Sequence, residues 1–382
     1  MADKNITLRQ KNTSGAYDKL YTKTTATQSK LSTATAALFG NNITDADAAL
    51  SKVADAVKTI GDVRVKVVDP NGNPIQGARI TGLYGTPTTA SDGTAHGVLQ
   101  TNPISISSPY IDLQEQTADA SSYAGSFDVL TITLPIVGEN NVKRITSSQT
   151  VKFRFAKTVD VCCVGGGGGG ANYCMYTSGS NTIRSYTNPG GGGGGIVNSI
   201  GVPVQSNTSY QILVGQGGTT KGAGSTNGSG NTGGTSSFAG VSAAGGGGGI
   251  AERIYVSGQY TRKMEAGTAG VAGCGDGGSA QGNGGDANPG SANTTISEFN
   301  DGTTFYSGGG GAGTTDFNSV KAGGAPNGAS GAYWYNSAIN ASSAGIGGGG
   351  GGGMIHYNNG SYYTGYASAG GPGLVAIRLH YN

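Results

Sequence analysis

Histidine, cysteine and carboxylate are the side chains best able to do chemistry, and in this chain they are few and scattered. His96, His356 and His380 are scattered along the chain, and no cysteine–histidine pairing is suggested. Cys162, Cys163, Cys174 and Cys274 show neither CxxC spacing nor a nearby histidine cluster, so they do not spell a metal site. Cys162 and Cys163 fall inside an apolar run and read as small buried hydrophobes. A disulfide among the four needs an oxidising compartment, and the reading of a cytoplasmic origin runs against one. The C-terminal carboxylates are Asp160, Glu252, Glu265, Asp276, Asp286, Glu298, Asp301 and Asp316. Their spacing alone leaves a glycosidase-type acid/base pair open. Such enzymes usually sit on β-helical scaffolds, however, and no repeat of that kind is visible. The glycine runs lack the Gly-Lys-Ser/Thr ending of a phosphate loop, and no clear helix follows them to face an anion. No nucleophile elbow precedes a helix. The expectation is a protein with no catalytic residues, no metal and no cofactor.

What the chain does have is tyrosine set among serine, asparagine and glycine. Tyr173, Tyr176 and Tyr186 lie between the first two glycine runs, and Tyr255 and Tyr260 follow the third. Tyr333, Trp334 and Tyr335 precede the fifth, while Tyr357, Tyr362, Tyr363 and Tyr366 follow it. This is the composition of antibody-like binding loops, in which tyrosine gives large amphipathic contact at low entropy cost. Flat rings next to amides and hydroxyls also suit sugars. The structural alternative is that the rings staple a domain poor in ordinary core residues. For Tyr210 and Tyr381, embedded in strand patterns, stapling is the better reading. The 333–335 and 357–366 clusters read as exposed loops.

These inserts hang between stretches of almost pure glycine: Gly165–Gly170, Gly190–Gly195, Gly245–Gly249, Gly308–Gly311, Gly347–Gly353 and Ala369–Gly373. Two accounts compete. As flexible linkers they would carry function only by length. As packed, three-residue-per-turn segments they would be a core, with glycine required wherever backbones crowd. The flanks favour packing. Val159–Val164 abuts the first run, Ile196-Val197 the second and Leu374–Leu379 the last, and linkers need no such strand-like bookends. Gly165, Gly190, Gly245, Gly308 and Gly347 therefore mark the expected core.

Glycine usage divides the chain: of 74 glycines, only 11 precede residue 145. Over 1–61 the expectation is an attachment and oligomerisation segment. Its helix, about 44–60, is capped by Thr44 and carries an a/d seam of Leu50, Val53, Val57 and Ile60, most simply a trimer. Over 62–144, Asp62–Val68 alternates cleanly, the Asp69–Asn73 turn follows, and Gly77–Leu83 reads as its return strand. Further strands are expected at 104–113 and 127–134. Residues 145–382 form the glycine-rich head. The fold class is mainly β with a short N-terminal helix, built from an attachment segment, a small β-sandwich and a glycine-rich β/polyglycine II domain. Charged residues are only 12% and net charge is +2, which gives no footprint for nucleic acid. No run is long enough to insert into a membrane, and residues 1–10 lack the layout of a signal peptide. The expectation is synthesis in a bacterial cytoplasm followed by incorporation into a virion.

That last expectation rests on resemblance. The middle segment, with D-P-N-G-N-P-I-Q-G-A and T-A-S-D-G, resembles the small β-sandwiches of the transthyretin-like and bacterial Ig-like families. The ordered pieces V-D-V-C-C-V-G-G-G-G-G-G, Y-Q-I-L-V-G-Q-G-G, S-S-F-A-G-V-S-A-A-G-G-G-G-G and G-L-V-A-I-R resemble the C-terminal glycine-rich domain of tail, baseplate and fibre proteins of phages infecting Gram-positive bacteria. More loosely, the packed-glycine pattern is similar to the polyglycine-sandwich adhesins of T-even-like phages, without their assembly. Ala16–Thr24 is similar to the start of many phage tail-associated proteins. The resemblance implies a homotrimeric virion protein that docks on tail or baseplate proteins and presents its head to a host cell-surface glycan or protein. A structural decoration of capsid or baseplate is the alternative, and a surface-glycan hydrolase a remote one.

Overall fold

The computed structural model describes residues 7–11, 17–21, 61–139, 141–172, 185–222, 227–256, 259–270, 274–280, 295–296, 305–306, 309–311, 313, 320–324, 327–335, 337–358 and 361–382. The chain is mainly β, arranged in several small sheets. It divides into two units: Met1–Pro109 with Leu113–Ile136, and Tyr110–Asp112 with Val137–Asn382. The expected helix at 44–60, with Leu50, Val53, Val57 and Ile60, lies outside the described residues. Among the described residues, helical structure is one 3-10 turn, Ser121–Tyr123. At the start, β1 (Thr7–Lys11) pairs antiparallel with β2 (Tyr17–Tyr21).

In the first unit, β3 (Asp62–Val68) is central in a three-stranded sheet. It runs antiparallel to β5 (Thr94–Val98) and parallel to β8 (Val129–Thr133). Strand alternation buries Val63, Val65 and Val67 and turns Arg64 and Lys66 outward. A second sheet joins β4 (Arg79–Thr81), β6 (Ile104–Ser107) and β7 (Gln116–Ala118), burying Ile80, Ile104 and Ile106. One expectation is corrected here, because the segment after the Asp69–Asn73 turn does not return along β3. The Asp69 carboxylate accepts the Asn71 and Asn73 amides, each at 2.9 Å, and fixes the turn. Pairing then stops at a single bridge between Val68 and Pro74. Proline has no amide hydrogen to extend a ladder. Gly77, at a φ of 80°, turns the chain away, and β4 pairs with β6 instead.

The second unit holds two four-stranded antiparallel sheets. In one, β11 (Thr158–Val164) lies between β13 (Ile196–Pro203) and β25 (Leu374–His380), with β9 (Val142–Ile145) beyond β25. The other runs β10 (Gln149–Lys152), β14 (Ser209–Leu213), β15 (Ser236–Phe238), β16 (Val241–Ala243). Val159, Val161 and Cys163 of β11, with Val375, Ile377 and Leu379 of β25, share one core with Val151, Ile212 and Phe238 of the other sheet. Phe153 meets Tyr210 and Phe238 edge-on there, at 5.6 and 6.2 Å between ring centres. Asp112 is fully buried, and its carboxylate accepts the amides of Arg154, Phe155 and Ala156 at 2.7 to 3.0 Å. Tyr381 donates its hydroxyl to the Val137 carbonyl at 2.7 Å. Shorter elements complete the unit. They are β12 (Ser185–Thr187) with β23 (Met354–Asn358) and β24 (Ser361–Gly365), and the pair β17 (Ile250–Val256) and β18 (Gln259–Glu265). Two more pairs are β19 (Thr295–Ile296) with β20 (Phe305–Tyr306), and β21 (Tyr333–Tyr335) with β22 (Ser337–Ile339).

Leaving β11, the chain enters the first glycine run and continues as a buried rod, residues 165–172. Its amides follow a period of three. Gly165, Gly168 and Ala171 donate to Gly195, Gly192 and Pro189; Gly166, Gly169 and Asn172 donate to Gly234, Asn231 and Gly228; Gly167 and Gly170 donate to Gly371 and Ser368. The carbonyls serve three further segments: Gly166 and Gly169 accept from Gly246 and Gly249, Gly168 and Ala171 from Gly350 and Gly353, and Gly167 from Gly218. One rod is thus bonded to six neighbours. The 188–195 segment repeats the arrangement. It donates to 275–278, 347–353 and 244–247 and accepts from 165–171, 267–270 and 310–313.

The lattice excludes side chains at its centre. A Cβ built on Gly168 would overlap the Gly247 carbonyl, and one on Gly191 the Gly168 carbonyl. The hydrogen that glycine carries there points at that oxygen, a weak C–H···O contact of about 0.5–1 kcal/mol. Gly168→Ala and Gly191→Ala are each expected to lower stability by about 3 kcal/mol or more, or to prevent folding. Gly138→Ala, where nothing lies within 4 Å, serves as the neutral control. Thermal midpoints of the three variants check this.

Candidate functional site

Among the predicted aromatic positions, one group comes together. In β21, alternation sends Trp334 to one face and Tyr333 and Tyr335 to the other. Trp334 is 7% exposed and packs with Ala332 and Met354, and with the partly buried Ala338, Ala341 and Tyr363. Its ring lies 4.8 Å from His356 and 4.7 Å from Tyr363. Those two are direct cross-strand partners in β23 and β24, so the indole covers a ready-made aromatic pair. Burial pulls the His356 imidazole below its usual pKa and keeps it neutral in this stack.

Backbone contacts lock the two hairpins together. Asn340 accepts the Tyr366 amide through its side chain at 2.9 Å, and Ala341 donates its amide to the Tyr366 carbonyl at 2.9 Å. Gly365 is required at this crossing, because a Cβ there would meet the Ile339 carbonyl and the Ala332 methyl. Around the buried indole, Tyr335, Tyr362 and Tyr366 remain 46%, 43% and 51% exposed. Tyr333 and Tyr363 are half-buried, and Tyr357 occupies the β23 position opposite Tyr362. Such a surface can stack against flat or ring-shaped ligands and offer phenolic hydroxyls as donors and acceptors.

The other predicted positions fall elsewhere. Tyr255, 64% exposed, pairs across β17–β18 with Tyr260, on a hairpin separate from the Trp334 cluster. Tyr173, Tyr176 and Gly308 lie outside the described residues. Gly165 donates to Gly195 and Gly190 to Gly278, Gly245 abuts the Gly233 carbonyl, and Gly347 takes a φ of 68° while donating to Pro372.

One charged cluster was not anticipated. Asp160, 3% exposed, receives Arg378 through Nε at 2.8 Å and Nη2 at 2.5 Å, His380 Nε2 at 2.9 Å, and the Gly201 amide at 2.8 Å. Asp160 and Arg378 are register partners of β11 and β25, 218 positions apart. The available signal was a carboxylate standing alone within the apolar run Val159–Val164, since a strand buries such a group only with a partner. Burial pushes the Asp160 pKa up, but the bonds from His380, Gly201 and Arg378 outweigh it and hold it below the ordinary value. Elsewhere, Glu252 is held by Asn227, Glu265 by Lys263, and Asp276 takes the Ala269 amide. Cys162, Cys163 and Cys274 are buried and form no disulfide, and burial drives the Cys163 thiol up to about 12, far from a reactive thiolate. Among the described residues no three His, Cys, Asp or Glu side chains gather as a metal set, and no helix is long and apolar enough to cross a membrane.

These features define a class: a mainly β protein whose larger unit is built on hydrogen-bonded glycine segments that carry short aromatic hairpins. Residues 145–380 match the family model described as a glycine-rich domain, and the chain belongs to that family. No characterised protein matches it.

A depressed carboxylate contributes stability that is present above its unfolded pKa and lost as pH falls through the folded value. The Asp160 contribution should therefore be intact at neutral pH and disappear below about pH 4. Asp160→Asn should lower the urea midpoint at pH 7 and flatten its dependence between pH 5 and 2, as read from denaturation at a series of pH values.

Proposed function

We propose that this chain is a structural protein of a bacteriophage virion, in tail, baseplate or fibre, whose head binds the host cell surface. In this reading residues 1–61 attach to other virion proteins and trimerise, 62–144 act as a spacer, and 145–382 form the adhesive head. The glycine segments are of the polyglycine II kind, and the head works by binding, without catalysis. Its ligand is a glycan or protein of the cell surface.

The observation that carries this reading is the exposure of Tyr335, Tyr362 and Tyr366 around a buried Trp334. Rings held by packed hairpins lose little side-chain entropy on binding, which lowers one part of the cost of adhesion. The ordered motifs of the head, and Ala16–Thr24 at the other end, support the assignment to a phage particle through their resemblance to tail-associated proteins.

Tyr335→Ala, Tyr362→Ala and Tyr366→Ala combined should weaken binding of the full chain to host cells at least tenfold, by about 1.4 kcal/mol or more, with the thermal midpoint little changed. Unaltered adsorption would favour a decoration that touches no receptor. For the N-terminal segment, Leu50→Asp with Val57→Asp should convert trimers to monomers in light scattering; trimers that persist would remove the seam assignment.

A further inference from the structure

The charged residues of the head stop short of its last two aromatic hairpins. From Ala322 to Ile377 the sequence holds no Asp, Glu, Lys or Arg, yet it holds six of the 19 tyrosines and the single tryptophan. This stretch supplies β21, β22, β23 and β24. The strand that pairs with β23 from outside it, β12, is Ser-Tyr-Thr and equally uncharged. His356 is the one group of the stretch that could carry charge near neutral pH, and burial lowers its pKa, so it stays neutral. The charges that border the stretch are Lys321, whose carbonyl accepts the Gly331 amide, and Arg378, which is bonded to Asp160. Arg184, directly before β12, lies outside the described residues.

Where the two hairpins meet, a tyrosine and an amide are neighbours. The Asn340 side-chain oxygen accepts the Tyr366 amide at 2.9 Å, which leaves the NH2 end of that side chain to donate. Asn340 and Tyr366 are both exposed, as are Ser337 and Ser361 at the starts of β22 and β24. Phenols, amides and hydroxyls can re-form the bonds that sugar hydroxyls lose on leaving water, and a ring can stack on the apolar face of a sugar. They cannot do the same for a charged partner. A polyanion gains affinity where it meets Lys or Arg, and this stretch has neither. About a quarter of the residues of a typical protein are charged, and an uncharged face would strip water from those groups with nothing in return.

We propose that these charge-free hairpins, centred on Tyr366 and Asn340, bind an uncharged, hydroxyl-rich polysaccharide of the cell surface. The head as a surface-binding unit is the premise on which this rests, and its ligand is narrowed to one chemical class. Stacking and neutral hydrogen bonds carry the contact, so salt leaves it unweakened.

The test measures adsorption of the full chain to host cells that are untreated, protease-treated, or oxidised with periodate, which cleaves the vicinal diols of sugars. Each is measured at about 50 and about 500 mM salt. Adsorption should change less than about twofold with salt, survive the protease, and fall at least about tenfold after periodate. Tyr366→Ala should weaken it about fivefold or more, while Tyr366→Phe keeps the ring and most of the adsorption. The Tyr366 bonds that join the hairpins run through its backbone, so both variants should keep the parent's thermal midpoint. Lys321→Gln with Arg184→Gln should adsorb as the parent does. Adsorption lost at high salt, or in that Gln variant, identifies an anionic ligand and overturns the proposal. Loss after protease identifies a protein and overturns it as well. So does adsorption that periodate leaves intact, or a folded Tyr366→Ala variant that adsorbs like the parent. These failures leave the surface-binding premise standing; a parent that adsorbs to no untreated cells removes the premise itself.

Discussion

Each backbone amide can donate once, and everything in the larger unit follows from where successive amides point. With three residues per turn they point about 120° apart, so a single segment cannot satisfy itself or pair with one neighbour as a strand does. It must be surrounded. Residues 165–172 meet this demand with six bonded neighbours drawn from positions as distant as 246 and 371. The same crowding bars side chains from the interior of the bundle, which is why the runs are glycine and not merely small residues.

Magnitudes decide how such a bundle survives. An intramolecular hydrogen bond contributes about 0.5–1.5 kcal/mol net, while ordering one residue's backbone costs about 1–2 kcal/mol, and glycine lies at the costly end. Bonds alone therefore leave the rods near balance at best. The surplus comes from the apolar sheets on which they begin and end: β11 feeds the first rod, β13 leaves the second, and β25 leaves the last. All three belong to one sheet, and that sheet's buried face packs on Val151, Ile212 and Phe238. The aromatic hairpins are the outgrowths of this frame. Because Trp334 is packed inside, the exposed tyrosines beside it are carried by an ordered base.

Much of this was legible in residue patterns. The alternation of β3, the apolar character of β11 and β25, and the bookends of the glycine runs all follow from side-chain periodicity, and each has its counterpart in the fold. What periodicity could not convey is long-range partnership. Nothing local to Asp160 names Arg378. Nothing in the Asp69–Asn73 turn tells whether the next strand stays or crosses, since that depends on Pro74 and Gly77 together with a partner, β6, well down the chain. Nor do the runs reveal every rod. The 215–219 and 228–234 segments join the lattice although Gln216, Thr219 and Asn231 interrupt their glycines. Gln216 and Thr219 are exposed and stand three apart, the spacing that keeps one edge of a three-residue turn facing water. Trp334 was counted with its neighbours as a surface ring; the strand's period of two separates it from them.

The pairing of β11 with β25 also sets the order in which the head can come into being. The first rod waits on residues near 195, 234 and 371 for its donors, and β11 itself waits on Leu374–His380. Contacts so distant along the chain make closure slow, since loop entropy is lost before the bonds form. Of the partners of the first rod, 189–195 follow soon after it in the chain, whereas 350–353 and 368–371 are added only near the end. The lattice therefore gains its full set of bonds only once these late segments have been made, and a chain cut short before residue 374 would lack the strand that joins β11 to β9.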